Sequence, residues 1–571
     1  MLKALINDTY TLDLPKDISI RMNSENPVFN FTTGAFSYPF KTNGGSSKNR
    51  LALNFPHRSS RYPSIQTENE IKIFDDDLQI ISGTIATKEA SKDVFNHYIK
   101  ADNGNFYSLI KGQKMAEVDL GGARNLGANR AAALATYDAV AATTYPASDY
   151  AIFPVCNTNF YDGFTSLETT WKNNNSVVNW YHSGNFKNIR ATSPFPYLCY
   201  FLRQLFETNG YIIKHNFFEQ DNELKTLCIY NANAASTWYL DAAWNVDVNT
   251  TMNLADHVPD FLITDFLKAL QLRFNCSFHI DDITKEVRIV KNETFLNVFP
   301  SADLTRLFSR PIKWTNKLPT GFLLNSNNDD QDEQIIYNSM EGATVLDSVS
   351  TYGSLPAVGN NIKDIRLVED INTYYVWDHA NDGTLSAPQW IVFANFWPYG
   401  VGDESTEYTS EIDTLKMYSG AKIHATDPYT EWLVPRADQL GNIADSWQWT
   451  GNEFSPRLLF YRGMYDDEAS NSYPLGSSDV YDYARNVIAN YSLRWHGSYG
   501  LYEKFWKNWL YHRMNYGKTG SISTFLRSHE IRNIKNWEKY NIDNFSLLPV
   551  KKDYTLFNNG KAQLNLDFYK L

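Results

Sequence analysis

Apolar and polar residues alternate at both ends of this chain. Near the start Leu12, Leu14, Ile18, Ile20 and Met22 alternate with polar neighbours, interrupted by Pro15. Near the end Leu564, Leu566 and Phe568 do the same, just after the hairpin signal Asn559-Gly560. A period of two places such residues on one face of a strand and asks for that face to be buried. A hairpin pattern lies between: Ile71, Ile73, Leu78, Ile80 and Ile81 flank the acidic turn Asp75-Asp76-Asp77, and Thr84 to Thr87 runs toward a third strand. Asn26-Pro27 marks a turn, and residues 43–49 (NGGSSKN) read as an exposed loop. Residues 1–115 are therefore expected to form a β-domain. Residues 401–571 are expected to form a second β-rich domain with one inserted helix. In it Arg457 to Tyr461 (RLLFY) reads as a buried strand. Leu501, Phe505, Trp509 and Leu510 fall at helical spacing, widened by Tyr502 and Trp506, and read as core.

The middle of the chain changes period. Residues 116–190 read as an insertion or linker: Ala131 to Ala142 predicts a short helix capped by Asn129, and Asn157 to Asn175 has no clear period. Residues 191–300 read as an α+β domain. Ser193-Pro194 open a helix whose face is Leu198, Phe201, Leu202, Leu205 and Phe206, closed by Asn209-Gly210 with glycine in the left-handed position. Tyr211 to Ile213 and Leu227 to Tyr230 follow as strands. About 65 residues on, Phe266, Leu267, Leu270 and Phe274 make another helix face; Cys276, Phe278 and Ile280 alternate, Asp281-Asp282 turns the chain, and Val287, Ile289 and Val290 return. The likeness of the two units is one of pattern and not of residue identity. Residues 301–400 read as a β-rich connecting segment, with strands at Gly321 to Leu324 and Ile335 to Tyr337. The fold class expected from all this is α+β, mainly β.

Composition narrows the function. The 571 residues carry 52 basic and 64 acidic side chains, a formal net charge of −12, which works against sequence-nonspecific binding to a phosphate backbone. Aromatic residues make up 15%, which favours strands and large contact surfaces. Met1 to Tyr10 lacks the apolar core of a secretory signal, and no apolar run is long enough to span a bilayer; no stable membrane insertion is expected. Cys156, Cys199, Cys228 and Cys276 form no C-x-x-C pair and read as buried thiols.

Motifs that carry chemistry fail on single residues. Gly517-Lys518-Thr519 ends like a phosphate-binding loop, but His512 stands where its first glycine belongs. Gly497-Ser498-Tyr499-Gly500, next to His496, has the wrong spacing for a nucleophile elbow, and Ser498 reads as a residue near a helix start. Asp329, Asp330, Asp332 and Glu333 lack the glycine of a calcium loop and read as solvated, as do Asp75 to Asp77. No H-E-x-x-H occurs among the 11 histidines. No catalytic, cofactor-binding or metal-binding residue is therefore named, no cofactor is expected, and the chain is expected not to be an enzyme.

Several passages together resemble one family. They are Leu12 to Phe40 (LDLPKDISIRMNSENPVFNFTTGAFSYPF) with Leu53 to Arg58 (LNFPHR), Ser193 to Phe218 (SPFPYLCYFLRQLFETNGYIIKHNFF), Phe261 to Val290, Ser455 to Gly463 (SPRLLFYRG) and Ser492 to Trp509 (SLRWHGSYGLYEKFWKNW). They resemble tail-tip or baseplate hub proteins of tailed phages, especially those of Bacteroidetes-type hosts, and the related hubs of contractile injection systems. The resemblance implies two tube-like β-barrel domains flanking or enclosing smaller α+β domains, which would make residues 1–115 and 401–571 those two barrels. It implies a homotrimer in the virion that joins a hexameric tail tube to the tail tip. Its partners would be the tail tube and distal tail proteins, tail-tip or fibre proteins and the tape-measure protein, with DNA present only in transit. A net negative passage wall would let that DNA slide. The chain ends at Leu571, so any wall-digesting domain is expected on another subunit. Alternatives are a distal tail ring or adaptor, a receptor- or glycan-binding tail protein, and a tail-associated cell-wall hydrolase.

Overall fold

The computed structural model describes the whole chain except residues 32–33, 59–67, 158–176, 180, 183, 187–191, 232–250, 309–310, 316–318, 327–343, 357–363, 369–372, 379–388, 393–398, 404–405, 425–426, 438–454, 468–469 and 485. The acidic loop at Asp329 to Glu333, the strand expected at Ile335 to Tyr337 and nearly all of Asn157 to Asn175 lie outside the described residues.

The N-terminal strands are β1 (Leu2–Ile6), β2 (Tyr10–Leu12), β3 (Ser19–Glu25), β4 (Ala35–Ser37), β5 (Phe40–Asn43), β6 (Asn69–Asp75), β7 (Leu78–Ala90) and β8 (Val94–Ala101), with short helices α1 (Ser47–Ala52) and α2 (Asn103–Leu109). The expected hairpin is β6–β7, with Asp76 at φ 53° in its turn. Asp75 and Asp76 both accept from the Met1 ammonium, which fixes the first strand to the hairpin tip.

The middle segment supplies α3 (Arg130–Ala141), α4 (Leu198–Thr208), β9 (Ile212–Asn216), β10 (Leu227–Ile229), α5 (Ile263–Phe274), β11 (Cys276–Asp281) and β12 (Glu286–Lys291). Asn129 caps α3 as expected, its Oδ1 accepting from Ala132 N at 3.1 Å. Helix α4 begins later than Ser193-Pro194 suggests. Phe195–Pro196 is extended, because a residue before proline is driven out of the helical region, and Tyr197 becomes the N-cap. Gly210, at φ 78°, closes the helix. The two helix–strand units do not repeat. β9 runs parallel to β12, which pairs antiparallel with β11. β10 leaves this sheet and pairs with β15 (Arg457–Asp466), the buried RLLFY strand, whose other neighbours include β16 (Ser472–Ser477). A core of Leu198, Phe201, Leu205, Phe266, Leu270, Phe274, Leu458, Phe460, Phe505, Trp506 and Trp509 ties α4, α5, β15 and the aromatic helix together. That helix begins with a π-helical turn at Tyr502–Trp506 and continues as α6 (Lys507–Asn515). Its apolar stripe is core, as expected.

Between these parts run β13 (Ala302–Asp303), β14 (Lys313–Thr315) and the expected strand Gly321–Ser326. After α6 come β17 (Lys518–Arg527), α7 (Ser528–Asn533), β18 (Tyr540–Ile542), β19 (Phe545–Phe557) and β20 (Lys561–Lys570). The hairpin β19–β20 turns at Asn559-Gly560, with Gly560 at φ 75°.

The two ends of the chain meet. β3 pairs antiparallel with β19, from Ser19 opposite Phe557 to Glu25 opposite Lys551. One 14-stranded sheet results, in the order β2-β1-β6-β7-β8-β4-β3-β19-β20-β17-β14; β5 also pairs with β8, β18 with β19, and β13 with β18. A single core runs under both halves, from Ile20, Ile71, Ile73, Phe95 and Ile99 to Ile522, Leu556, Leu564, Leu566 and Phe568. The architecture is thus mainly β with α+β parts between. The two β-barrels implied by the resemblance are not found as closed barrels among the described residues. The reason is local: β3 spends one edge on β4 and the other on β19, so each half continues into the other instead of curling onto itself.

Candidate assembly face and the buried junction behind it

Strand periodicity gives the sheet two faces at the seam. On the outer face, residues opposite one another form rows across four strands. One row is Arg21, Thr555, Gln563 and Phe525; the next is Asn23, Asp553, Asn565 and Ser523; the third is Glu25, Lys551, Asp567 and Ser521. All but Phe525 are polar or charged. Arg21 Nε donates to Asp553 Oδ1 at 2.9 Å, and its guanidinium lies over the Tyr38 ring at 4.3 Å. Lys551 Nζ lies 3.7 Å from Glu25 Oε1. Burial pushes the Asp567 carboxyl up, with Lys551 opposing. This face therefore alternates in sign, and its acids and bases are paired across strands. These rows hold two bases, Arg21 and Lys551, against three acids, Glu25, Asp553 and Asp567.

The inner face is apolar along most of its length and turns polar at one end. There Ser24 and Lys552, opposite each other across the seam, face the middle segment. They border a cavity of about 60 Å³, lined also by Asp102, Asn103, His279, Asp281, Arg532, Lys535 and Trp537. That is room for a few water molecules and too little for a sugar ring. Asp102 sits at the corner between β8 and α2 with φ 50° and ψ −130°, a conformation that costs a side-chain-bearing residue energy. It faces the turn after β11. Asp102 N donates to Asp282 Oδ2 at 2.8 Å, and Asp282 N donates to Asp102 Oδ1 at 3.2 Å. Next to it Asn103 behaves like a strand partner: its Nδ2 donates to Phe278 O at 2.6 Å and its Oδ1 accepts from Ile280 N at 3.1 Å.

Charges here are unequally compensated. Asp282 accepts from the Tyr211 hydroxyl and pairs with Lys285 Nζ at 3.0 Å, yet burial still pushes it up. Asp281 pairs with Lys535 Nζ at 2.7 Å; although burial opposes it, that ammonium holds the carboxyl below its ordinary value. Asp102 has no such contact. Burial, then the charges of Asp282 and Asp281, push it up to about 7. Lys552 donates to Ile534 O at 2.6 Å, and burial pushes it down to about 8 against the attraction of Asp102. His279, whose Nε2 lies 2.8 Å from Ser277 Oγ, is pushed by burial down to about 3.

The motifs weighed in the sequence lie elsewhere. Gly517 joins α6 to β17, and a Cβ there would stand 1.8 Å from the Tyr569 hydroxyl; close packing explains this glycine without any phosphate. His512 Nδ1 lies 3.4 Å from the same hydroxyl. Gly497 and Gly500 close the turn that enters the aromatic helix, Gly500 N donating to Gly497 O. Asp75 to Asp77 are the hairpin tip. Cys199, Cys228 and Cys276 are buried free thiols. Among the described residues no group of three or more His, Cys, Asp or Glu side chains is placed to hold a metal ion. The sequence reading missed the junction. Asp281-Asp282 registered only as a turn, and nothing local links it to Asp102 or to Lys552.

No family model matches the chain, and no curated protein does. Among solved structures it is similar, at a coarse level, to a phage tail protein: the 43 kDa tail protein of prophage MuSo2 from Shewanella oneidensis. The comparison covers 99% of this chain and 97% of that one, at 5% identity and a TM-score of 0.29. A score that low falls short of a shared fold. No helix among the described residues is long and apolar enough to cross a membrane.

Proposed function

We propose that this chain is a structural virion protein of a tailed phage, the trimeric hub that joins the tail tube to the tail tip and lines the passage for the genome. The observation that carries this reading is the seam between β3 and β19. It sets two β-modules from opposite ends of one chain side by side in a continuous sheet, the arrangement a trimer needs to present six modules to a sixfold tube. The passages that resemble hub proteins contribute strands or helices to this sheet and to the core behind it. The outer face, polar and charge-paired, suits a wall along which a polyanion moves without being gripped. Closed assembly also gives partners to the ends of a long open sheet.

Native mass spectrometry of the purified chain, together with a reconstruction of the intact particle, tests this. Three copies at the distal end of the tail tube are expected. Six copies point to a distal ring or adaptor. A lone monomer that clears cell wall in a zymogram overturns the structural reading.

A further inference from the structure

Four parts of the chain converge on Asp102. From the middle segment come Asp281, Asp282, Lys285, His279 and the Tyr211 hydroxyl. From β19 come Lys552 and Tyr554. From α7 and the stretch leading to β18 come Arg532, Lys535 and Glu538, and from the end of β3 comes Glu25. Asp102 and Asp282 exchange backbone N–H bonds, which holds two carboxylates against each other in a corner where Asp282 is buried and Asp102 half-buried. Tyr211 and Lys285 compensate Asp282, and Lys535 compensates Asp281. Lys552 is the cation whose charge acts on Asp102, and it donates its hydrogen bond to Ile534 O instead. The corner therefore accommodates Asp102 best as a neutral acid. Once Asp102 ionises, the aspartates repel across the contact that docks β11 on the end of β8.

We propose that the contact of Asp102 with Asp282, backed by Lys552, is a proton-operated latch between the sheet seam and the middle segment, tight when Asp102 carries a proton and again when Lys552 has lost one. It opens most readily in between. This goes beyond the hub reading and stands whether or not the chain forms a ring.

The sign follows from linkage. Docked, Asp102 binds its proton up to about pH 7, whereas a solvated aspartate releases it near 3.8; the latch loses stability as pH rises through that window. Docked, Lys552 is neutral above about pH 8, whereas a solvated lysine keeps its proton to 10.5; the latch regains stability as pH rises from 8.

Hydrogen–deuterium exchange of the full chain, normalised for the intrinsic rate at each pH, reads the opening at 276–291 and 102–109. Two such linked protons give an opening that peaks between pH 7 and 8, about fivefold above its level at pH 6 and at pH 9. Asp102→Asn keeps an acceptor for Asp282 N and cannot ionise; its profile should lose the rise between pH 6 and 7. Lys552→Met should lose the fall between pH 8 and 9. An unchanged profile in a folded variant overturns the latch. A flat wild-type profile overturns it however the variants behave.

Discussion

At the scale of single residues, the structure turns several side chains into specific expectations. Asn103 supplies both a donor and an acceptor to β11, so Asn103→Ala leaves the Phe278 carbonyl and the Ile280 N–H unpaired in a buried corner. A cost of about 2 kcal/mol is expected, read by denaturant unfolding. Gly517→Ala forces a methyl group onto the hydroxyl end of the packed Tyr569 ring, which must move; a loss of about 1–3 kcal/mol is expected in the same assay. His97 is buried, with Nε2 2.9 Å from Thr42 Oγ1 and Nδ1 3.1 Å from Thr87 Oγ1, and burial pushes it down to about 4. Because its folded value lies below 6.5, it favours folding fully above 6.5, and that contribution is lost as pH falls toward 4. Its imidazole NMR resonances should not titrate between pH 8 and 5. These environments were not legible beforehand. A histidine between two threonines, one of them on a distant strand, has no spacing that marks it.

At the scale of elements, local signals read well and partners read poorly. The turns at Asp75 to Asp77 and Asn559-Gly560, the cap at Asn129, the closure of α4 at Gly210 and the RLLFY strand were all legible, because each rests on residues within a turn or two of one another. Replacing Asn129 by Ala should lower stability by about 1 kcal/mol without altering the rest of the fold, measured by thermal unfolding. The start of α4 was misplaced because Pro196 overrides the earlier Pro194. Pairing was the part that sequence did not contain. Leu227–Ile229 looked like the return strand of its own helix unit and instead joins residues 457–466, and no local pattern announces that residues 19–25 lie beside 551–557. Period 2 tells which face of a strand is buried. It is silent about which strand lies alongside. The acid-base junction was hidden for the same reason, since it collects Asp102 and Asp282 from just beyond two strand ends and Lys552 from within a third strand.

At the scale of the molecule, the seam joins the two ends in one sheet over one core. Removing residues 545–571 should therefore unprotect the amides of β3, some five hundred residues away, along with those of β17; exchange mass spectrometry checks this, and persistent protection of Ser19–Glu25 would mean the halves fold independently. The same seam has a consequence for biosynthesis. Asn26 finds its acceptor on Pro549, 523 positions later. At ribosomal speeds of about 5–20 residues per second, the nascent N-terminal strands wait roughly half a minute or longer with an uncapped edge. During that interval they are open to pairing with neighbours on the same polysome, so yield should depend on translation rate and on holdase chaperones more than on the stability of the finished molecule.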